Sequence, residues 1–263
     1  MKITSKDNAL LKRARAVRDG KDEDLIYVEG LRLCEEALKS QLPIEAVIFS
    51  EELVGKPRAA QVIEQLSEVA AKNAEISERL LESISFTKTP QGVVVLAQRP
   101  RSTEQQLSKK LKTNSLLVVL HEINNPVNVG AILRTAEAAG VTGVITTKNT
   151  SDPFSAKSLR GAMGSAFRLP VWTGPTFNRV IEWCSKKSIF SVCADAEAEL
   201  SYVDFNWKQP VALILGPESN GLTDEEIKLA GQALKIPMSG EVESLNVSVA
   251  AGVMLYEAAR QRS

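Results

Sequence analysis

Leu116-Leu-Val-Val-Leu-His-Glu-Ile-Asn-Asn-Pro-Val-Asn-Val-Gly-Ala-Ile-Leu-Arg-Thr-Ala-Glu-Ala-Ala-Gly140 decides the architecture. Its first five residues form an unbroken apolar run, the pattern of a strand buried on both faces of a parallel sheet. Asn125 can cap a helix, Pro126 suits the first helical position because its missing N–H would be unpaired there anyway, and Gly140 suits the helix end. A buried strand leading into a helix of about four turns is one step of an α/β fold. Short apolar runs of the same kind follow at Val144–Thr147, Ile189–Cys193 and Val211–Leu215, with helical patterns between them. The pattern predicts an α/β domain built on a parallel sheet.

Upstream of that domain, Leu25–Glu29, Ile44–Phe49 and Val93–Ala97 read as strands, with helices around Leu31–Lys39 and Ala59–Ala70. Thr4 or Ser5 can cap an earlier helix that carries Leu10, Leu11, Ala14 and Val17 on one side and ends near Gly20. Together these predict a small α/β sandwich. At Arg99-Pro-Arg-Ser-Thr-Glu-Gln-Gln the pattern becomes polar, so the expected division is a first domain over 1–100, a linker over 101–112 and a second domain over 113–263. The total of 263 residues agrees with two domains at about 150 residues each.

Lysine plus arginine and aspartate plus glutamate number 32 each, so the chain is formally neutral and bulk attraction to nucleic acid is disfavoured. The distribution is less even: residues 1–21 carry a net +5, with Lys12, Arg13, Arg15 and Arg18 on the first predicted helix. Those four residues form either a solvated helix face or a phosphate-contacting stripe. Three scattered cysteines, Cys34, Cys184 and Cys193, make neither a disulfide framework nor a CxxC pair and point to a reducing cytoplasmic setting. One histidine leaves little material for a metal site, and none is expected. No apolar run reaches the length of an export signal or a membrane span.

No GxGxxG follows a predicted strand, which removes the dinucleotide fingerprint. Gly216-Pro-Glu-Ser-Asn-Gly-Leu-Thr223 has P-loop glycine spacing but Leu222 where the phosphate-binding lysine belongs, and Glu218 would repel a phosphate. It reads better as a strand end turning sharply near a ligand, with Thr223 capping the next helix. In the opening segment Asn128 lies in the first helical turn and Arg134 six residues on, placed here on roughly the same side. An amide and a guanidinium beyond a strand's carboxyl end suit a phosphate or ribose, although a structural arginine would look the same. A third segment, Ile236-Pro-Met-Ser-Gly-Glu-Val-Glu-Ser-Leu-Asn-Val-Ser-Val-Ala250, is a polar loop leading into a C-terminal helix capped by Ser244 or Asn246.

In this order the three segments resemble the SpoU or TrmH family of RNA 2′-O-ribose methyltransferases, within the SPOUT superfamily. The matching pieces are 125–136, 215–222 and 236–250, and the resemblance covers about 112–263. Weaker similarity at Ile3-Thr-Ser-Lys, Tyr27-Val-Glu-Gly-Leu-Arg-Leu and Thr89-Pro-Gln-Gly-Val extends it to the family's N-terminal substrate-binding domain, which is similar to kink-turn-binding ribosomal proteins. The resemblance implies a catalytic domain with a trefoil knot, a rare departure from unknotted topology. It also implies S-adenosyl-L-methionine as cofactor and a site completed in a homodimer, and beside a domain similar to RNA binders it makes Lys12, Arg13, Arg15 and Arg18 an expected RNA contact.

Residue by residue, the resemblance assigns Gly216, Ile236 and Leu245 to the cofactor, with Met238 beside them. Asn128, Arg134, Glu218, Ser244 and Asn246 take the catalytic and substrate-placing positions. The implied reaction is methyl transfer to a ribose 2′-hydroxyl of structured RNA, with ribosomal RNA of the 23S type favoured. A transfer-RNA methyltransferase and a non-catalytic RNA-binding ribosome factor are the alternatives. Arg134 is permanently protonated and so makes a poor base; it is expected to hold phosphate and hydroxyl while the proton passes to phosphate or water. Asn125 stands where many members have aspartate. His121 matches no catalytic position and is read as structural.

Overall fold

A computed structural model describes residues 1–263. The first stretch of chain forms α1 (Ala9–Arg18), β1 (Leu25–Glu29), α2 (Leu31–Lys39), β2 (Ile44–Ser50), α3 (Glu51–Val54), α4 (Pro57–Val69), β3 (Lys72–Ile76), α5 (Glu78–Ile84) and β4 (Val93–Gln98). Then come α6 (Glu104–Ser108), β5 (Leu116–Leu120), α7 (Pro126–Ala138), β6 (Gly143–Thr146), α8 (Ala156–Ala162), α9 (Ser165–Arg168), β7 (Val171–Thr173) and α10 (Phe177–Lys186). The last part is β8 (Phe190–Ala194), β9 (Leu200–Ser201), β10 (Val211–Leu215), α11 (Asp224–Ala230), β11 (Gln232–Lys235) and α12 (Val247–Arg262). These elements divide into two compact units, Met1–Pro100 with Phe154–Arg168, and Arg101–Pro153 with Leu169–Ser263.

The first unit holds a four-stranded mixed sheet in the order β1-β4-β2-β3. Leu10, Leu11, Ala14 and Val17 of α1 enter its core beside Ile48 and Leu96, and the Tyr27 hydroxyl donates to the Ile84 carbonyl at 2.7 Å. Helix α1 starts later than Thr4 or Ser5 would put it. Residues 2–3 instead extend the sheet beside Glu75, with the Ile3 N–H donating to the Glu75 carbonyl, and the Asn8 side chain accepts the Leu10 N–H at 2.8 Å. Strand β3, which buries only Ala74 and Ile76, and the short α5 were not anticipated in the sequence.

Phe154–Arg168 belongs with this first unit although it lies within the expected 113–263 domain. Its anchors are physical: the Arg99 guanidinium sits 4.9 Å from the centre of the Phe154 ring, Ala156 packs on the core, and Arg168 pairs with Glu36. Residues 101–112 are likewise more than a linker. Thr103 caps α6, and Leu107 is wholly buried in the second unit's core with Trp172 and Val180.

The second unit is a seven-stranded sheet in the order β7-β6-β5-β10-β8-β11-β9, with every pairing parallel. The apolar strands at its centre, β5 and β10, are buried along their full length, as the unbroken runs predict. Helix α7 is capped by Asn125, whose side chain accepts the Val127 N–H, begins with Pro126 and is closed by Gly140 at φ +76°. Helix α12 packs along α7 and buries Ala251, Met254, Leu255 and Ala258.

Leu107→Ala is expected to lower stability by about 2–4 kcal/mol, read as a shift in denaturation midpoint, because it opens a cavity in the core. An unchanged midpoint would mean that α6 contributes nothing to the fold.

Candidate active site

Loops leaving the carboxyl ends of parallel strands are where α/β folds place ligands. Here the three segments singled out in the sequence all begin at such ends: β5 runs into 121–125, β10 into 216–223, and β11 into 236–246. The first is the hub. The His121 N–H donates to the Leu215 carbonyl at 2.9 Å, joining it to the second, and the Asn246 Nδ2 donates to the Asn128 Oδ1 at 3.4 Å, joining it to the third across 118 residues.

Segment 121–125 is sewn in place by the loop after β6. The Thr150 hydroxyl donates to the Leu120 carbonyl, the Ser151 N–H to that of Ile123, and the Ser151 hydroxyl to that of Asn124 at 2.6 Å. Glu122 and Asn149 both take positive φ, 53° and 64°, and the Asn149 Nδ2 donates to the Glu122 carboxylate. Left-handed backbone is costly for a residue with a Cβ, so two such residues facing each other mark a segment held by its surroundings.

Asn128 is buried and its Nδ2 has no partner in the chain. Arg134 is exposed and forms no ion pair or hydrogen bond. The two do not share a side of α7: six residues at 100° each leave them roughly 120° apart, which corrects the sequence reading. Gly216 is required by crowding, since a Cβ there would lie 2.8 Å from Leu222 Cγ. Glu218 is exposed on the following loop. Ile236 and Met238 are half-buried, Leu245 is 37% exposed and Ser244 is exposed. No hydrogen bond ties the backbone of Ile236–Leu245 to the rest of the fold. Asn246 caps α12, accepting from the Ser248 N–H and hydroxyl.

The sequence reading missed one cluster. His121 is buried, with Nε2 at 2.9 Å from Glu226 Oε1, Nδ1 at 2.9 Å from Thr147 Oγ1, and its ring 4.7 Å from that of Phe177. Glu226 Oε2 meanwhile accepts the Thr223 N–H and hydroxyl in a capping box. Burial works to raise the Glu226 carboxyl pKa, but the hydrogen bonds from Thr223 and His121 outweigh it and hold the group below the ordinary carboxylate value. The capping spacing Thr223-x-x-Glu226 is legible in sequence; the histidine 105 residues away is not.

On the first unit, Arg13 pairs with Asp22 and Glu45, and Lys12 lies 3.6 Å from Asp7. The Arg18 guanidinium donates to Asp19 and to the Ser83 and Ser85 carbonyls, and Arg15 donates to the Lys6 carbonyl. No helix is long and apolar enough to cross a membrane, and no three His, Cys, Asp or Glu side chains gather as a metal site.

The SpoU rRNA methylase family profile matches residues 115–256, which include all three loop segments. The chain belongs to this family. A second profile, the MRM3-like substrate binding domain, matches 8–95. The 23S rRNA (guanosine-2′-O-)-methyltransferase RlmB of Xylella fastidiosa is 38% identical over 192 residues, covering 72% of this chain and 77% of that one. RlmB of Shewanella oneidensis is 31% identical over 247 residues, 92% and 99% of the respective chains. The crystal structure of an AdoMet-bound rRNA methyltransferase from Sinorhizobium meliloti superposes with TM-score 0.87 at 30% identity, covering 99% of this chain and 97% of that one.

Proposed function

We propose that this SpoU-family protein transfers a methyl group from S-adenosyl-L-methionine to a ribose 2′-hydroxyl of ribosomal RNA of the 23S type. The observation that carries the reading is the Asn128–Asn246 hydrogen bond. It joins the helix that bears an unpaired arginine to a loop whose peptide groups are free for a ligand. The RlmB relatives and the matched substrate-binding domain support ribosomal RNA as the substrate.

Gly216, Ile236, Met238 and Leu245 would hold the cofactor, offering close backbone approach and apolar side chains with no charge among them. When bound, S-adenosylmethionine supplies a methyl group on a cationic sulfur. The chain's own task is to orient the hydroxyl and ease its proton away. Arg134, exposed and uncommitted, holds the phosphate next to the target ribose in this reading, and its fork would take the hydroxyl oxygen as well. A guanidinium cannot accept a proton, so the proton leaves to phosphate or water. The buried Asn128 positions Asn246 through its Oδ1, while Glu218, Ser244 and Asn246 place the nucleotide and the loop.

The active form is a homodimer in this reading. Besides its buried stripe, α12 carries Val249, Val253 and Tyr256 at i, i+4 and i+7 on its other side, with Tyr256 56% exposed. Val127, in the first turn of α7, and Val242, in the loop before α12, are exposed as well. A helix apolar on two sides is a helix with a second partner.

With tritiated S-adenosylmethionine and 23S ribosomal RNA, the wild-type chain is expected to label a ribose 2′-oxygen. Arg134→Ala is expected to lower the single-turnover rate on the order of 10²-fold while cofactor binding persists. Weaker RNA binding with an unchanged rate would sink the assigned role. All four cations of α1 have local partners, but Lys12 is the most exposed of the paired ones and Arg15 faces a carbonyl rather than a carboxylate, so the informative charge reversal is Lys12→Glu with Arg15→Glu. It should weaken RNA binding and flatten its salt dependence without touching cofactor affinity, and equal affinity at moderate salt would count against an RNA contact on α1. Tyr256→Glu should shift sedimentation from dimer to monomer; a wild-type chain that sediments as a monomer would remove the homodimer.

A further inference from the structure

The single histidine brackets the loop between β10 and α11 at both ends. Its backbone N–H holds the Leu215 carbonyl, one residue before Gly216. Its Nε2 donates to Glu226, whose other oxygen holds Thr223, one residue after Leu222. Leu222 in turn rests on Gly216 with no room for a Cβ between them, so the two fixed ends bear on each other through the loop's own packing. The imidazole is fixed from the remaining sides by Thr147, whose hydroxyl also receives the Glu122 N–H, and by the Phe177 ring. One side chain therefore ties the hub segment 121–125 and the loop after β6 to the start of α11.

We propose that His121 is a positioning residue for cofactor binding: through Glu226 and Thr223 it holds loop 216–222 in the conformation that receives S-adenosylmethionine. This rests on the assignment of Gly216 and its loop to the cofactor. His121 does not itself touch the ligand in this account. It acts on affinity by fixing the loop beforehand, which removes ordering that binding would otherwise have to supply. The contribution therefore appears in the cofactor Kd and KM and is small in kcat at saturating cofactor.

The test uses the full chain and three variants. His121→Phe keeps a ring against Phe177 and removes both side-chain hydrogen bonds; His121→Gln keeps a donor of similar reach toward Glu226; Gly216→Val blocks the loop directly. Calorimetry with S-adenosylmethionine is expected to show His121→Phe binding about tenfold more weakly, the loss of one hydrogen bond to a charged group. KM for the cofactor should rise in parallel, with kcat on 23S ribosomal RNA within about threefold of wild type. His121→Gln should recover most of the affinity, which a role in packing alone would not explain. Wild-type cofactor affinity in His121→Phe, or an equal fall in kcat with KM unchanged, overturns the proposal. If Gly216→Val leaves cofactor affinity intact, the loop is not the cofactor site, and the assignment falls together with the proposal. If Gly216→Val abolishes binding while His121→Phe and His121→Gln both match wild type, the cofactor site stands and only the positioning role is lost.

Discussion

The in-register pairing of β5 with β10 is the constraint on which the site depends. Val211 to Leu215 lie opposite Leu116 to Leu120, and all ten side chains are buried. Side chains alternate between the faces of a strand, so a slip by one residue would exchange every one of them between two differently shaped layers. The register consequently decides where the two central loops leave the sheet. Leu120 and Leu215 are the last paired residues, His121 and Gly216 the first beyond them, and the hydrogen bond from His121 to Leu215 follows directly. The convergence of loops is thus a product of core packing rather than of the loops' own composition.

Charge on the first unit shows the opposite relation, in which local pairing edits what the composition suggests. The +5 of residues 1–21 counts Arg13 as free, yet Asp22 and Glu45 stand beside its guanidinium, and Asp19 and two carbonyls hold that of Arg18. Such partly exposed pairs add little to stability. Their larger effect is on the field: a phosphate approaching α1 within a Debye length of about 8–10 Å meets the carboxylates as well as the cations.

Much of this was legible in the sequence. The β5, β10, β1 and α2 bounds follow from runs and caps that need no distant partner, and the caps at Asn125, Thr223 and Asn246 obey local chemistry. What was missed depends on contacts far along the chain. Residues 2–3 pair with the strand ending at Ile76 and so displace the start of α1; Leu107 makes a core element of a polar stretch; Phe154–Arg168 joins the first unit through Arg99, Glu36 and the core. Strand β3 buries only two apolar side chains, too weak a pattern to read without its partner. Of the candidate site, the segments and their order were visible, and the link from His121 to Glu226 was not.

The separation of Asn128 from Arg134 around α7 gives the helix two different commitments. Arg134 faces solvent and costs the fold nothing. Asn128 is buried, and its side chain is turned toward the start of α12. Its Oδ1 accepts from the Asn246 side chain across 118 residues of chain. Because Asn246 also caps α12, accepting from the Ser248 N–H, this one link lets the buried face of α7 set where the loop before α12 ends. One helix therefore carries an inward anchor for a loop and an outward cation, on two faces rather than one.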